Sequence, residues 1–257
     1  VVIIDDLSGG STLEGKMMET MTFSQVDCRD QKAVDFVFQQ FKPEIVFPLA
    51  ANAAENKAQF SPIDITSRNW NTFINTLVPF INNRGRRFVF VSSIAVYGAI
   101  QTPFKETDKP EPEDLYGITK LAAEQTLKVM SKVHGFEYVI ARPHNVIGER
   151  QNVFDPYRNV VMIFMNRLRK SYRPYIYGDG EQKRCFSYVG DVIEALYKCG
   201  FEDVNGMTFN IGSDELHSVN ELYRMICQVL GFSTSPTYLQ DRPQEVKEAI
   251  ADHTQAK

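Results

Sequence analysis

No Cys-x-x-Cys pair occurs in this chain. Its four cysteines, Cys28, Cys185, Cys199 and Cys227, lie far apart, and its four histidines show no H-x-x-x-H spacing that would join them as ligands. A structural metal is excluded by that scatter, and a reducing compartment, the cytoplasm, follows from the lack of a disulfide framework. No apolar run approaches the roughly 18 residues of a membrane span, and no charged-then-apolar leader opens the chain, so neither a membrane nor secretion is indicated. Basic charge is short as well. Lys and Arg number 28 against 32 Asp and Glu, a net charge of −4, which argues against a nucleic acid as the main partner while leaving local arginines able to bind one phosphate group. Internal repeats and low-complexity segments are missing too. The opening Val1-Val2-Ile3-Ile4 has no methionine, which points to processing or fragmentation upstream.

What the chain has is apolar material in quantity: 43% hydrophobic and 23% charged over 257 residues, enough to bury one large core or two small ones. Short apolar runs alternate with longer helical patterns, the signature of parallel strands joined by crossover helices. Val1–Ile4, Phe23–Val26, Ile45–Leu49, Phe88–Val91 and Tyr138–Ala141 read as buried strands. Asp30–Phe41, Ser61–Asn82 and Asp114–His134 read as helices between them, the last with Leu121, Ala122, Leu127, Val129 and Met130 toward the sheet. Residues 1–142 thus form a doubly wound parallel α/β sheet. After Arg142 the rhythm changes to a loop rich in Asn, Gly and Pro, a helix near Val160–Lys170, short strands at Tyr175–Tyr177 and Thr208–Ile211, and a helix at Val219–Leu230. Residues 143–257 read as a smaller α/β lobe packed closely on the first.

Three motifs carry chemistry. Asp5 closes the opening strand before Leu7-Ser8-Gly9-Gly10. In a dinucleotide fold such an acid accepts hydrogen bonds from ribose hydroxyls and repels a 2′-phosphate, selecting NAD over NADP; an ordinary strand-to-turn aspartate is the other reading. The Gly-rich turn that should precede it, and that cradles a pyrophosphate on backbone N–H groups, has no counterpart here, since Gly178-Asp179-Gly180 lacks the third glycine and the strand–helix context. Tyr116-Gly117-Ile118-Thr119-Lys120 opens a helix, where positions i and i+4 share a face. A neighbouring ammonium favours phenolate, lowering a tyrosine from its usual pKa of about 10 toward working pH and making a general base. Ser92-Ser93 end the Phe88–Val91 strand. A hydroxyl at the carboxyl end of a strand lines the ligand crevice of an open α/β sheet, although a serine pair capping a strand exit would look the same.

Together these residues resemble a known family. Val91-Ser92-Ser93-Ile94-Ala95-Val96-Tyr97-Gly98 is similar to the S-S-x-x-V-Y-G segment of the extended short-chain dehydrogenase/reductases, and Tyr116–Lys120 is similar to their Y-x-x-x-K. The likeness continues through Arg142-Pro143-His144-Asn145-Val146-Ile147-Gly148, Ile176-Tyr177-Gly178-Asp179-Gly180, Arg184, Val189-Gly190-Asp191 and Arg242-Pro243-Gln244-Glu245. The nucleotide-sugar epimerases of the UDP-glucose 4-epimerase type are the most similar group. The resemblance implies a Rossmann-like domain that lacks its first strand and Gly-rich turn, an NAD cofactor, a UDP-sugar substrate, and a homodimer formed through the helices at residues 61–82 and 114–134. It implies that Asp5, Asp6 and Leu7 hold the adenosine ribose, Asp27 with Cys28 the adenine, and Leu49, Ala50 and Ala51 the cofactor phosphates and ribose. By the same resemblance Asn69 ties the crossover helix to the site, Pro143 meets the nicotinamide, and Tyr116 and Lys120 touch the cofactor as well as the reacting sugar.

On the substrate side the resemblance implies Ser93 against the sugar oxygen, Asn145 and Arg184 on the diphosphate, Tyr177 along the uracil, Arg242 with Glu245 as a phosphate and ribose clamp, and Asn159 and Ala249 as further contacts. Arg forks suit diphosphate oxygens independently of any likeness. Two departures stand out: Pro48 replaces a histidine common before the Ala-Ala turn, and the family usually continues past the equivalent of Asp252-His253 by one or two helices. Related dehydratases and decarboxylases carry a carboxylate near Ile94-Ala95, which Ile and Ala cannot supply. The sequence therefore fits 4-epimerisation through a 4-keto sugar, with Ser93, Tyr116 and Lys120 as the catalytic residues. A uronic-acid epimerase, a dehydratase, a reductase, or a catalytically silent nucleotide-sugar binder are the other readings.

Overall fold

The sequence Arg87-Phe-Val-Phe-Val91 alternates large aromatic and branched side chains and places them on opposite faces of one strand. Both faces are covered, as a parallel strand buried in the middle of an α/β sheet requires. The computed structural model describes residues 1–9, 20–53, 60–155, 159–241 and 247–257. Its first strands, β1 (Val2–Asp5) and β2 (Thr22–Gln25), form a parallel pair, followed by α1 (Gln31–Phe41) and β3 (Ile45–Val46). Next come α2 (Pro62–Thr66), a π-helical turn (Ser67–Asn71), α3 (Thr72–Asn82), β4 (Arg87–Val91), α4 (Leu115–His134) and β5 (Glu137–Pro143). The second half holds β6 (Val146–Ile147), α5 (Val160–Arg169), β7 (Tyr175–Tyr177), β8 (Lys183–Cys185), β9 (Ser187–Tyr188), α6 (Val189–Phe201) and β10 (Thr208–Ile211). It ends with β11 (Leu216–Ser218), α7 (Val219–Leu230), β12 (Thr237–Leu239) and β13 (Glu248–Ala249).

The main sheet runs β10-β5-β4-β3, all parallel. One face packs Phe88 and Phe90 against Val34 and Phe38 of α1, Phe73, Leu77 and Phe80 of α3, and Leu127 of α4. The other face packs Val89, Val139 and Ala141 against Val192 and Cys199 of α6. A second core joins Val161, Phe164 and Leu168 of α5 to Leu222, Tyr223 and Ile226 of α7 and Ile176 of β7. Helix α7 opens on a reciprocal capping box between Ser218 and Glu221, which satisfies two end N–H groups at once.

Two expectations are corrected here. The strand expected over Ile45–Leu49 stops at Val46; Pro48 follows closely and has no N–H to give a ladder. The helix expected over Ser61–Asn82 is interrupted by the π turn. Helix α6 was not anticipated. Across residue 142 the two parts share the main sheet, β10 pairing with β5 while α6 covers that sheet's other face. Among the described residues, no helix is long and apolar enough to cross a membrane and no cluster of three or more His, Cys, Asp or Glu could hold a metal ion.

Candidate active site

The carboxyl ends of β4 and β5 and the first turns of α4 meet at one place. Helix α4 starts where Asp114, in extended conformation, accepts a 2.8 Å hydrogen bond from the Gly117 N–H. Burial raises the Asp114 carboxyl above its ordinary pKa, and the N–H groups of Gly117 and Tyr116 hold it back. That cap sets the phase of the helix, so Tyr116 and Lys120 point the same way, 5% and 6% exposed, into the sheet end. Lys120 Nζ lies 5.8 Å from the centroid of the Tyr116 ring and donates to the Val91 carbonyl at 2.7 Å. Burial pulls the Lys120 ammonium down to about 8 from its usual 10.5, with Glu124 opposing the fall.

Just past β4, successive serines face opposite ways, as extended backbone dictates. Ser93 caps a short 3₁₀ turn, Ile94–Tyr97, with its Oγ accepting the Ala95 N–H at 3.1 Å. Ser92 turns inward, and its Oγ donates to Glu124 Oε1 at 2.6 Å. The 3₁₀ turn lies against α4 so closely that a Cβ on Gly117 would sit 2.5 Å from the Ala95 carbonyl oxygen. At Gly98, where φ is +67°, a Cβ would sit 2.0 Å from the Glu111 carbonyl oxygen. The turn that Ser93 caps is thus in direct backbone contact with the helix that carries Tyr116 and Lys120.

At the ends of β1 and β2, Asp5 Oδ1 accepts the Leu7 N–H at 2.6 Å, and Leu7 takes φ +62°. Asp6 Oδ1 accepts the Ser8 N–H and hydroxyl, which hold the Asp6 carboxyl below its ordinary range. Asp27 is forked by Arg29, which keeps it ionised, and Cys28 is buried, its thiol pushed up to about 11 by burial with the charges of Asp27, Asp5 and Asp6 adding to the rise. Leu49 and Ala50 are exposed and Ala51 is half-buried on the loop after β3. Asn69, in the π turn, holds the end of that loop with both arms of its amide: Oδ1 accepts from Asn52 N at 2.8 Å and Nδ2 donates to Asn52 O at 3.2 Å. Its Nδ2 also reaches Thr119 Oγ1 on α4 at 3.5 Å. This set fits the adenosine half of a dinucleotide: three carboxylates at adjacent strand ends to accept hydroxyl and amino protons, beside a fixed backbone loop.

The residues expected on the substrate side fall in the second core's strands and loops. Asn145, with φ +35°, donates from Nδ2 to the Cys185 carbonyl at 3.0 Å. Asn159 caps α5, its Oδ1 accepting from Val161 N at 3.1 Å. Tyr177 ends β7 opposite Leu239 of β12. Arg184 of β8 stands opposite Ala249 of β13 and donates to the Lys183 carbonyl at 2.7 Å. Arg242 and Glu245 lie outside the described residues. Ala249 and Ala251 pack with Val96, Tyr97 and Phe104, so the β13 segment closes over the 3₁₀ turn that follows Ser93.

A buried polar chain beneath these groups was not foreseen. Arg142 forks Glu124 at 2.9 Å and 2.6 Å and donates to the Tyr97 hydroxyl at 2.6 Å. Tyr97 donates to Asn210 Oδ1 at 2.8 Å, and Asn210 Nδ2 donates to the carbonyls of Phe104 and Asp252. Burial works against the Arg142 charge, but Glu124 keeps its pKa above the ordinary guanidinium value. Glu124 stands four residues after Lys120 on the buried stripe that also carries Ala123 and Leu127.

Residues 1–212 match the model of the NAD dependent epimerase/dehydratase family. Over 255 residues the chain is 33% identical to a Methanocaldococcus jannaschii protein assigned as a UDP-glucose 4-epimerase, covering 95% of this chain and 78% of that one. It is 28% identical over 239 residues to a UDP-N-acetyl-alpha-D-glucosaminuronate decarboxylase of Bacillus cytotoxicus, covering 89% of this chain and 72% of the relative. Among solved structures it is similar to UDP-glucose 4-epimerase of Thermotoga maritima with UDP-glucose, at a TM-score of 0.93 and 30% identity, covering 100% of this chain and 82% of the other.

Proposed function

Because the chain belongs to the NAD-dependent epimerase/dehydratase family, we propose that it inverts the 4-carbon of a UDP-hexose or UDP-N-acetylhexosamine through a transient 4-keto sugar. One observation supports this reading: Lys120 lies beside the Tyr116 ring and is bonded to Val91, two residues before Ser93, while the positions beside Ser93 that could add a second acid hold Ile94 and Ala95. NAD, when bound, would supply reversible hydride chemistry at the sugar 4-carbon. Everything else falls to the chain. Tyr116 takes the proton from the 4-hydroxyl and later returns it, Lys120 stabilises the phenolate and holds the nicotinamide ribose, and Ser93 hydrogen-bonds the sugar oxygen. Arg184 and Asn145 hold the nucleotide diphosphate, and Arg242 with Glu245 clamp a phosphate and the ribose. Anchoring at the nucleotide leaves the hexose free to turn over and present its other face.

In this reading Ala249, half-buried and opposite Arg184, stands beside the sugar 2-substituent, where a small methyl supports acceptance of N-acetylated substrates. The homodimer reading is supported by the exposed apolar residues Ile118, Val129 and Val133 along α4. Incubation with UDP-glucose, UDP-galactose, and their N-acetyl and uronic-acid forms tests the assignment. The expected outcome is interconversion of a 4-epimer pair with no net redox change. A dehydrated or decarboxylated product, or no turnover with bound NAD present, overturns it.

A further inference from the structure

Glu124 is 1% exposed and touches none of the groups expected to meet the sugar, yet its carboxylate binds two of the three elements that carry them and grows from the third. It projects from α4, one turn beyond Lys120. Oε1 accepts from Ser92, the residue before Ser93, at 2.6 Å, and from Arg142 Nε at 2.9 Å; Oε2 accepts from Arg142 Nη2 at 2.6 Å. Arg142 precedes Pro143 on β5, and its remaining nitrogen Nη1 donates to Tyr97 in the 3₁₀ turn that Ser93 caps. We propose that Glu124 is the positioning residue of this site, its one carboxylate locking the ends of β4 and β5 onto α4 and so fixing where Ser93 and Pro143 stand relative to Tyr116 and Lys120.

A neutral side chain of the same shape would satisfy the packing, so the charge has a second task. Around the Lys120 ammonium stand Glu124 and the Tyr116 ring, at 5.8 Å, on its own helix, and the Phe90 ring, at 5.0 Å, and the Val91 carbonyl of β4. Glu124 is the acid of that set whose charge favours a protonated lysine, and Arg142 fixes it in place. Losing the carboxylate would remove the charge that opposes the effect of burial on Lys120, and so favour the neutral amine.

The catalytic half of this inference rests on the epimerase reading; the ionisation half does not, and the test separates them. On the whole chain, Glu124→Gln is expected to lower kcat about tenfold or more while KM for the sugar nucleotide stays within about twofold, the pattern of a lost transition-state contact. Independently of turnover, unfolding free energy measured against pH, with Lys120→Met as baseline, reports the lysine. In Glu124→Gln the pH at which stability begins to rise should move below its wild-type value. Ser92→Ala, which removes one hydrogen bond to the carboxylate and spares the fold, should lower kcat several-fold with KM held. A lower melting temperature with kcat and the lysine transition both unchanged overturns the proposal. If wild type turns over no nucleotide sugar, the functional reading fails, and the lysine transition alone decides whether Glu124 acts as stated.

Discussion

The ammonium of Lys120 donates to the carbonyl oxygen of Val91 at 2.7 Å, joining the second turn of helix α4 to the last residue of strand β4. The bond spends one donor of the lysine on the sheet and aims the head group beside the Tyr116 ring. Two donors remain for groups arriving from the crevice. The lysine is thus anchored before any ligand binds, which lowers the entropy cost of using it.

Removing the phenol should stop the chemistry and spare the binding. Tyr116→Phe keeps the ring that packs at 5% exposure and should lower kcat by roughly 100- to 10,000-fold, the usual contribution of a positioned proton-transfer group. Cofactor content after gel filtration should match wild type. Undiminished turnover would remove Tyr116 from the mechanism.

A methyl at residue 117 tests the contact between the two catalytic elements. Alanine normally suits a helix better than glycine, but here its Cβ would meet the Ala95 carbonyl at 2.5 Å and Pro112 Cβ at 3.0 Å. Gly117→Ala should therefore cost about 1–3 kcal/mol in urea unfolding, the typical penalty for overpacking. It should also depress kcat, because the 3₁₀ turn that must yield is the one Ser93 caps.

His144 predicts a pH dependence. It is fully buried, its ring nitrogens have no hydrogen-bond partner among the described residues, and burial, aided by His253 and Arg184, drives it down to about 3 from 6.5. Below pH 6.5 the unfolded chain gains a proton that the native histidine refuses. Stability is therefore fully present above that value and falls as pH drops toward 3. Urea titrations across that window should show the decline, and His144→Leu should flatten it; an unchanged slope would place the acid sensitivity elsewhere.

The assignment of Ala249 to the sugar 2-substituent predicts a specificity change. Ala249→Tyr should lower kcat/KM for UDP-N-acetylhexosamines while UDP-hexose turnover persists, since in the proposed reading a ring there would compete with the 2-substituent. Equal activity on both classes in the variant would mean that this position does not face the sugar.

Much of this was legible in the chain's periodicities. Asp30 and Asp114 cap the helices they precede, and the alternation of Phe88, Val89 and Phe90 marks a strand buried on both sides. Helix α6 escaped because its exposed side carries Ile193, Tyr197 and Phe201 while Val192 and Cys199 face the sheet, so an apolar residue appears at almost every phase and no stripe stands out. Of the candidate site, the placing of Lys120 beside the Tyr116 ring was readable from their i, i+4 spacing. Glu124 and Arg142 were not, because a carboxylate and a guanidinium in a sequence usually mean a solvated face, and only the fold shows that the two bury each other. Asn69 was readable through resemblance alone; its grip on Asn52 depends on a π turn that no local pattern announces.

Strand β10 zips onto β5 long after the ribosome has delivered Pro143. Until Ile211 emerges, the nascent chain carries Glu137–Pro143 with one side of its ladder bare, a template on which another unfinished copy could dock. Splitting the gene at residue 142 would make that transient hazard permanent, so the two halves expressed separately should precipitate, and should give soluble protein only when made together.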